Sequence, residues 1–343
     1  MLKIEITNKV AILERIGKKS TLPILQNILI QQKGSQVLLS VTNLDIDATF
    51  NFPVNIGTTG PILVNAKNLK AVLKSITEKE ISLQAKEGFL FLNDVCLPIE
   101  ETPASEFPKI QSQIKTEDAQ TFNADKRFFE AMKFCQGFMS KDITGPGHNM
   151  FLSDGNIFAT NGGILSVCSL DDTSLFKAII PHQIVKILVV GMKDVGKMTI
   201  TSNDKYIGFE TKDSSFILRR IDEEFPLYNK VIGYKHIYSL NIDPHHFLNM
   251  VKSIPDPTRL KNVKAIKLSI NKNTLTVKGK INQKEMPVES DSDDFYGYFN
   301  QDYLITTLTG FKDKIKISYT DNIRSLILTD GKLTRVIMPL RMS

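Results

Sequence analysis

One spacing recurs through the 343 residues and restricts the fold more than any other feature. The segment NAKNLKAVLKSI, from Asn65, places Leu69, Val72, Leu73 and Ile76 at i, i+3, i+4 and i+7, the apolar stripe of a helix. PHHFLNMVKSI, from Pro244, repeats this with Phe247, Met250, Val251 and Ile254. Weaker helical patterns begin near residues 8, 125, 181 and 300, and several open on Asn, Asp or Pro, as helix starts do. The starts near 8, 125 and 244 lie 117 and 119 residues apart, and those near 65, 181 and 300 lie 116 and 119 apart. Glu-Phe-Pro occurs at Glu106–Pro108 and again at Glu224–Pro226, 118 residues on. Three markers share one period, so the chain reads as three copies of a unit with two helices each.

Between the helical stretches the pattern switches to period two, that of half-buried strands. QVLLSVTNLDIDATF, KMTITSNDKYIGFE, AIKLSINKNTLTVKG and DKIKISYTDNIRSLILT alternate in this way, and KEG, SND, NKN and TDN supply turns. The expectation is an α+β protein of three tandem domains, 1–112, 113–233 and 234–343, each with two helices packed on antiparallel sheet.

The stretch KILVVGMKDVGKMTI, from Lys186, imitates a phosphate-binding loop, with an apolar run and Gly-x-x-x-x-Gly-Lys. Such a loop needs a strand before the glycines and a helix after them, so that the helix N-terminus faces the phosphates. The repeat predicts the reverse order, a helix before and the strand KMTITSN after. Met198 also stands where Ser or Thr would hold magnesium. Gly191 therefore reads as a helix cap and Gly196 as part of a turn.

No other stretch carries chemistry. The chain lacks Gly-x-Ser-x-Gly, Cys-x-x-Cys and His-Glu-x-x-His. His245 and His246 open a helix and point about 100° apart, a poor metal pair. ESDSDDF, from Glu289, reads as a solvated acidic loop and TGPGHN, from Thr144, as a turn cluster. Cys96, Cys135 and Cys168 are far apart and odd in number, which fits reduced thiols better than a disulfide framework. The N-terminus has no apolar signal core, and no run approaches the roughly 18 apolar residues of a membrane span. A cytoplasmic protein with no catalytic site, metal or cofactor is expected.

Charge is distributed unevenly. Residues 65–77 carry Lys67, Lys70 and Lys74 with no acid, and the first helix with its exit holds Lys9, Arg15, Lys18 and Lys19 against Glu14. The third holds Lys126, Arg127 and Lys133 against Asp125 and Glu130, with Lys141 following, while acids gather in strands and loops. For one helix this is a solvated face. Recurring across copies, it describes a basic surface suited to phosphates, and with no base-reading device the binding would be independent of nucleotide sequence.

Particular segments resemble a known family, the bacterial DNA polymerase III beta subunits or replicative sliding clamps. STLPILQNILI (Ser20–Ile30) is similar to the family's Thr-Leu-Pro-Ile-Leu-x-Asn opening, and VTNLDIDATF to its Ala-Thr-Asp-Leu-Glu-Ile strand. FATNGGILSVCSL is similar to Ala-Thr-Asp-Gly-His-Arg-Leu-Ala, EFPLYNKVI to Phe-Pro-Asp-Tyr-Arg-Arg-Val, FNQDYLITTL to Phe-Asn-x-x-Tyr-Leu, and VIMPLRMS to Val-Met-Pro-Met-Arg-Leu. These follow the family's order at domain spacing over essentially the whole chain.

The resemblance implies a head-to-tail homodimer that closes six domains into a ring around double-stranded DNA. It also implies a groove for short motifs of the DNA polymerase III catalytic subunit, the clamp loader and other clamp-motif proteins. Carried over by position, the groove takes Thr160, Gly162 and Leu165 from one segment and Pro226 and Val231 from the next. Val263, Asn300, Tyr303, Ile323 and Ser325 follow, and Val336, Met338, Pro339, Leu340 and Arg341 complete it, with Asn300 and Arg341 as polar anchors. Lys19 aligns with a basic residue near the duplex, and Lys18, Lys70, Lys74, Arg127, Lys141, Lys193 and Lys197 are further DNA-facing candidates. For the dimer seam, Leu97 and Ile99 match an apolar strand of the first domain, with Ile254 and Leu260 as candidates on the third. Gly163 and Ile164 depart from the usual His and Arg, removing two polar groups from the groove rim, and Lys230 replaces Arg. A clamp with a specialised role, a nucleotide-dependent enzyme using Gly191–Lys197 and a monomeric repeat scaffold are the alternatives.

Overall fold

A computed structural model describes residues 2–18, 20–53, 60–108, 114, 117–140, 146–170, 176–191, 197–221, 228–233, 235–260, 262–290 and 294–341. The described helices are α1 (Lys3–Gly17), α2 (Ala66–Ser75), α3 (Lys126–Gln136), α4 (His182–Gly191), α5 (Asn229–Ile232), α6 (Pro244–Lys252) and α7 (Gln301–Leu308). All but the four-residue α5 were legible as periodic stretches. α1 starts at Lys3 rather than near residue 8, because Ile6, Val10 and Leu13 form one buried helical stripe that extends the pattern backwards. The caps are chemically matched. Asn65 Oδ1 accepts from the backbone N–H groups of Lys67 and Asn68, and Asn300 Oδ1 from those of Asp302 and Tyr303. Asp243 accepts from His245 and His246 at 2.8 and 2.9 Å, so these histidines are first-turn residues.

In the segment resembling a phosphate loop, the residues from Lys186 to Gly191 are the end of α4 and those from Met198 begin the strand Met198–Ser202. That order is helix then strand, and residues 192–196 lie outside the described set. Among the described residues no cluster of His, Cys, Asp and Glu could hold a metal, and no helix is long and apolar enough to cross a membrane.

The chain divides into two compact units, Met1–Lys126 with Ile187–Ile221, and Arg127–Lys186 with Asp222–Ser343. The first contains an antiparallel eight-stranded sheet in the order Ile62–Asn65, Asn27–Lys33, Gln36–Thr42, Ile46–Phe52, Ser214–Arg219, Tyr206–Glu210, Met198–Ser202, Gln120–Ala124. At its middle, Ala48 lies opposite Phe216, and Phe50 meets Phe216 edge to face at 5.5 Å. α1 and α2 pack together in this unit, burying Val10, Leu13, Leu69 and Leu73. Gly17 ends α1 where an added Cβ would lie 2.5 Å from the Leu25 carbonyl oxygen, so the exit of α1 tolerates no side chain there.

The second unit contains a nine-stranded sheet in which Ile164–Ser169 pairs antiparallel with Leu333–Ile337. This junction repeats the one in the first unit: Ile164 follows Ile46 by 118 residues, and Leu333 follows Ser214 by 119. The same spacing marks two further strands. Val95–Pro98 begins 119 residues before Ser214, and Gln283–Pro287 begins 119 after Ile164. Each is the outermost strand of its own sheet, three-stranded in one case and five-stranded in the other. Residues of the expected middle domain, 113–233, contribute strands to both units.

His182, at the start of α4, stacks on His148 with ring centroids 4.7 Å apart. Burial, the charge of Lys186 and the neighbouring His148 hold the pKa of His182 below that of an ordinary imidazole. The unfolded chain therefore takes up this proton at higher pH than the folded one. The contribution to stability is complete above the ordinary value of about 6.5 and is lost as the pH falls towards the folded pKa. The melting temperature should drop between pH 7 and 5, and His182→Phe should flatten that slope. Equal slopes for the two proteins would rule out the pair as the cause.

Candidate partner-binding groove and basic helix faces

Strand geometry sorts the groove residues. Leu165 and Val167 occupy one face of Ile164–Ser169 and Ser166 and Cys168 the other. Leu165 lies opposite Val336 on the neighbouring strand, and these two pack with Ile327 into a buried apolar cluster. Val167, Tyr228, Val231 and Ile232 lie half-buried against it. Leu165, Ser325 and Val336 are 6%, 7% and 1% exposed, whereas Ile323 and Met338 at the rim are 66% and 41% exposed. The tail crosses beside this floor. Met338 N donates to the Gly163 carbonyl at 2.9 Å and Leu340 N to that of Tyr298 at 2.7 Å, leaving Pro339 and Leu340 half-buried and Arg341 exposed. The turn at the edge is tied by Thr160 Oγ1, which donates to the Ile164 carbonyl and accepts from Gly162 N. Gly162 has φ +87°, a value that favours glycine.

Several sequence expectations change here. Ile164 is buried at 2% exposure on the reverse face, so its exchange for the family's Arg alters the packing under the groove and not the rim. The side-chain carbonyl of Asn300 is engaged in capping α7. Val167, Tyr228, Ile232 and Ile327 were missed. All four sit two residues from an expected position or within EFPLYNKVI, and a period-two count from Leu165 and Ser325 reaches Val167 and Ile327. The pKa of Tyr228 is raised by burial and by the charge of Asp154, which keeps its hydroxyl protonated beside the apolar floor. Pro226 lies outside the described residues, and Val263 and Tyr303 are half-buried.

Gly163 is a packing choice. A Cβ there would stand 2.6 Å from Tyr303 Cε2 and 3.2 Å from Cδ2, so the ring occupies the space of the absent side chain. Gly163→Ala should cost about 1–2 kcal/mol by urea denaturation through this overlap. The cost should vanish in a Tyr303→Ala background, where the two substitutions would otherwise be additive.

Among the DNA-facing candidates, α2 turns Lys67, Ala71 and Lys74 to solvent opposite buried Leu69 and Leu73. Arg15 and Lys18 are exposed at the end of α1. Lys70 is half-buried, with Nζ 3.0 Å from Glu14 Oε2, which neutralises much of its field. Arg127 on α3 and Lys197 are exposed, and Lys19, Lys141 and Lys193 lie outside the described residues. The α6 and α7 pair is less basic. α6 exposes His245, His246, Asn249 and Lys252, and Asp302 of α7 sits 3.4 Å from Lys264 Nζ.

At the expected seam, Leu97 and Ile254 are 3% and 2% exposed and point into the chain's own core, so neither side chain has area to offer a second chain. Alternation along the strand instead exposes Cys96 and Pro98, Val95 is exposed at the strand's start, Ile99 is half-buried, and the side chain of Leu260 lies outside the described set. On the third-domain side the edge strand Gln283–Pro287 was missed, although the 119-residue spacing points to it.

Two-helix copies whose strands join edge to edge into antiparallel sheets, with an apolar groove beside the tail, define the DNA-clamp class. Residues 3–111 match the family described as DNA polymerase III beta subunit, N-terminal domain. The chain is 25% identical over 360 residues to the beta sliding clamp of Salmonella typhimurium, covering 95% of this chain and 94% of that one. It superposes on the griselimycin-bound sliding clamp of Bartonella birtlesii with a TM-score of 0.85, at 21% identity over 100% of this chain and 99% of that one. The Helicobacter pylori beta clamp bound to a DNA ligase peptide gives a TM-score of 0.85 at 16% identity, over 99% of both chains. Residues 3–111 thus carry the N-terminal domain of the DNA polymerase III beta subunits, and the chain over nearly its whole length is similar to bacterial sliding clamps.

Proposed function

We propose that two copies of this chain join head to tail into a ring that encircles duplex DNA and tethers the replicative polymerase. The edge strands Val95–Pro98 and Gln283–Pro287 carry this reading. Each stands one period from a strand that makes a junction inside the chain. Pairing them between chains repeats the same junction, and an interface of two unlike surfaces that closes after two copies gives a finite ring. It also covers two backbone edges that would otherwise invite uncontrolled pairing. The domains are 1–112, 113–233 and 234–343, the chain works in the cytoplasm, and it is a processivity factor with no catalytic site of its own.

Lys18, Lys74, Arg127 and Lys197, with Lys67, are the exposed cations of this reading, and Lys19, Lys141 and Lys193 complete it from the resemblance. They meet phosphates without reading bases, and weak contacts permit sliding because topology retains the ring. The groove takes apolar peptide side chains on Leu165, Ile327 and Val336, with Met338 as an adaptable rim. The DNA polymerase III catalytic subunit, the clamp loader and repair proteins compete for it.

Light scattering across a dilution series should give twice 38.6 kDa, and the protein should stay on circular DNA and leave it after linearisation. A persistent monomer, or equal retention on linear DNA, would remove the ring. Lys67→Ala with Lys74→Ala should lower the slope of log affinity against log salt by about 2, equally for any duplex sequence. An unchanged slope would take α2 out of the DNA surface.

A further inference from the structure

The reverse face of the groove floor holds a group of side chains that partner binding does not use. Cys168 lies on Ile164–Ser169 and Cys135 on α3, 33 residues apart in sequence. Both are buried and free, yet their Sγ atoms are 3.5 Å apart. Cys135 Sγ also lies 3.5 Å from the Ile157 carbonyl oxygen and 3.6 Å from Ser166 Oγ. Ser166 is directly opposite Arg335, which is 1% exposed. Among the described residues no carboxylate makes an ion pair with this guanidinium, and its Nε has no acceptor. It sits over the rings of Phe138 and Phe311, 5.0 and 4.7 Å from their centroids.

We propose that Cys135 and Cys168 form a redox-modifiable pair beneath the groove, which a peroxide closes to a disulfide that weakens partner binding. The hydrogen bond to Cys135 and, after it, the charge of Arg335 lower the pKa of Cys168, whereas burial raises that of Cys135, so Cys168 is the sulfur that ionises first. In the first step the Cys168 thiolate attacks one oxygen of the peroxide. The O–O bond breaks, leaving a sulfenic acid and hydroxide, which takes the proton that Cys168 gave up. The Cys135 sulfur then attacks the Cys168 sulfur, the S–O bond breaks, and the departing hydroxide leaves as water with the Cys135 proton. Two thiols lose two electrons, and hydrogen peroxide gains them and becomes two waters. The sulfurs must close from 3.5 Å to about 2.05 Å. That movement draws α3 and Ile164–Ser169 together and removes the ionisable thiol beside Arg335, while the other face of the same strand carries Leu165 and Val167 of the groove.

The effect on partners rests on the groove reading above; the disulfide does not. The intact wild-type protein, incubated with hydrogen peroxide and mapped by mass spectrometry without reduction, should yield a linked peptide pair containing Cys135 and Cys168, lost on dithiothreitol treatment. Affinity for griselimycin, measured by calorimetry on the same samples, should fall about fivefold or more on oxidation and recover on reduction. Exposed Cys96 reports in the same digest that the oxidant acted. Oxidised Cys96 with no Cys135–Cys168 link would overturn the proposal. A full link with unchanged affinity would overturn its effect on partners. A reduced protein that does not bind griselimycin would overturn the groove reading and the switch with it, while the peptide map still decides the disulfide.

Discussion

Ending the chain after Ile337 should weaken binding of a DNA ligase peptide, of the kind bound to the Helicobacter pylori clamp, by about two orders of magnitude. The melting temperature should move by less than about 2 °C, because the lost residues add little to any core. The tail makes few structural contacts of its own, the bonds from Met338 N to Gly163 and from Leu340 N to Tyr298 being the backbone ties. It does supply the exposed rim beside Leu165, Ile327 and Val336. Without it a bound apolar side chain keeps its floor and loses a wall, so water reaches the contact. Loss of a fully desolvated anchor site costs about 2–4 kcal/mol, and each 1.4 kcal/mol is about tenfold in affinity. A fluorescence-anisotropy titration decides the matter. Affinity within threefold of the parent would mean that the tail is not part of the groove.

Arg335→Ala should destabilise the unit that contains it by about 3 kcal/mol, roughly 6–10 °C in melting temperature. The guanidinium donates to the Thr307 carbonyl at 2.7 Å and to that of Thr309, closing the C-terminal end of α7. It also rests on Phe138 and Phe311. Burial lowers its pKa while the nearby sulfurs and Asp330 raise it, which expresses the cost of holding the cation out of water. Truncation relieves that cost but leaves a cavity between two rings and strips the buried Thr307 carbonyl and the partly buried Thr309 carbonyl of a donor. Arg335→Met refills the volume without the charge and should recover about half of the loss. Calorimetry of the parent and both variants tests this, and an Ala variant as stable as the parent would show that α7 needs no such cap.

The two predictions differ in how far the sequence reached them. VIMPLRMS was read as the groove's tail, and Met338, Pro339, Leu340 and Arg341 were named there. Arg335, one residue before that segment, carried no signal. In a strand of alternating pattern an Arg is ordinarily placed on the solvent face, since buried cations are rare without a partner. The thiols are similar. Cys135 and Cys168 lie in separate elements, and nothing in their spacing indicates contact. Ile164 and Asn300 were read as rim and anchor because alignment fixes a position along the chain and not the direction of its side chain.

Periodicity alone determined that there are three copies, that each has two helices on antiparallel sheet, and that the Lys186–Ile200 stretch runs from helix to strand. These are local properties: about 3.6 residues per helical turn and two per strand repeat set which side chains share a face. The spacing of about 118 residues even picks out Val95–Pro98 and Gln283–Pro287 as equivalents of strands that pair inside the chain. Only the tertiary structure decided which of two faces is covered. The strands Ile164–Ser169 and Leu333–Ile337 alternate equally well either way, and α3 and α7, distant in sequence, lie over the side that bears Cys168 and Arg335. The opposite side is left for Leu165 and Val336 to build the groove floor, because burial depends on what packs against a face and not on the residues within it.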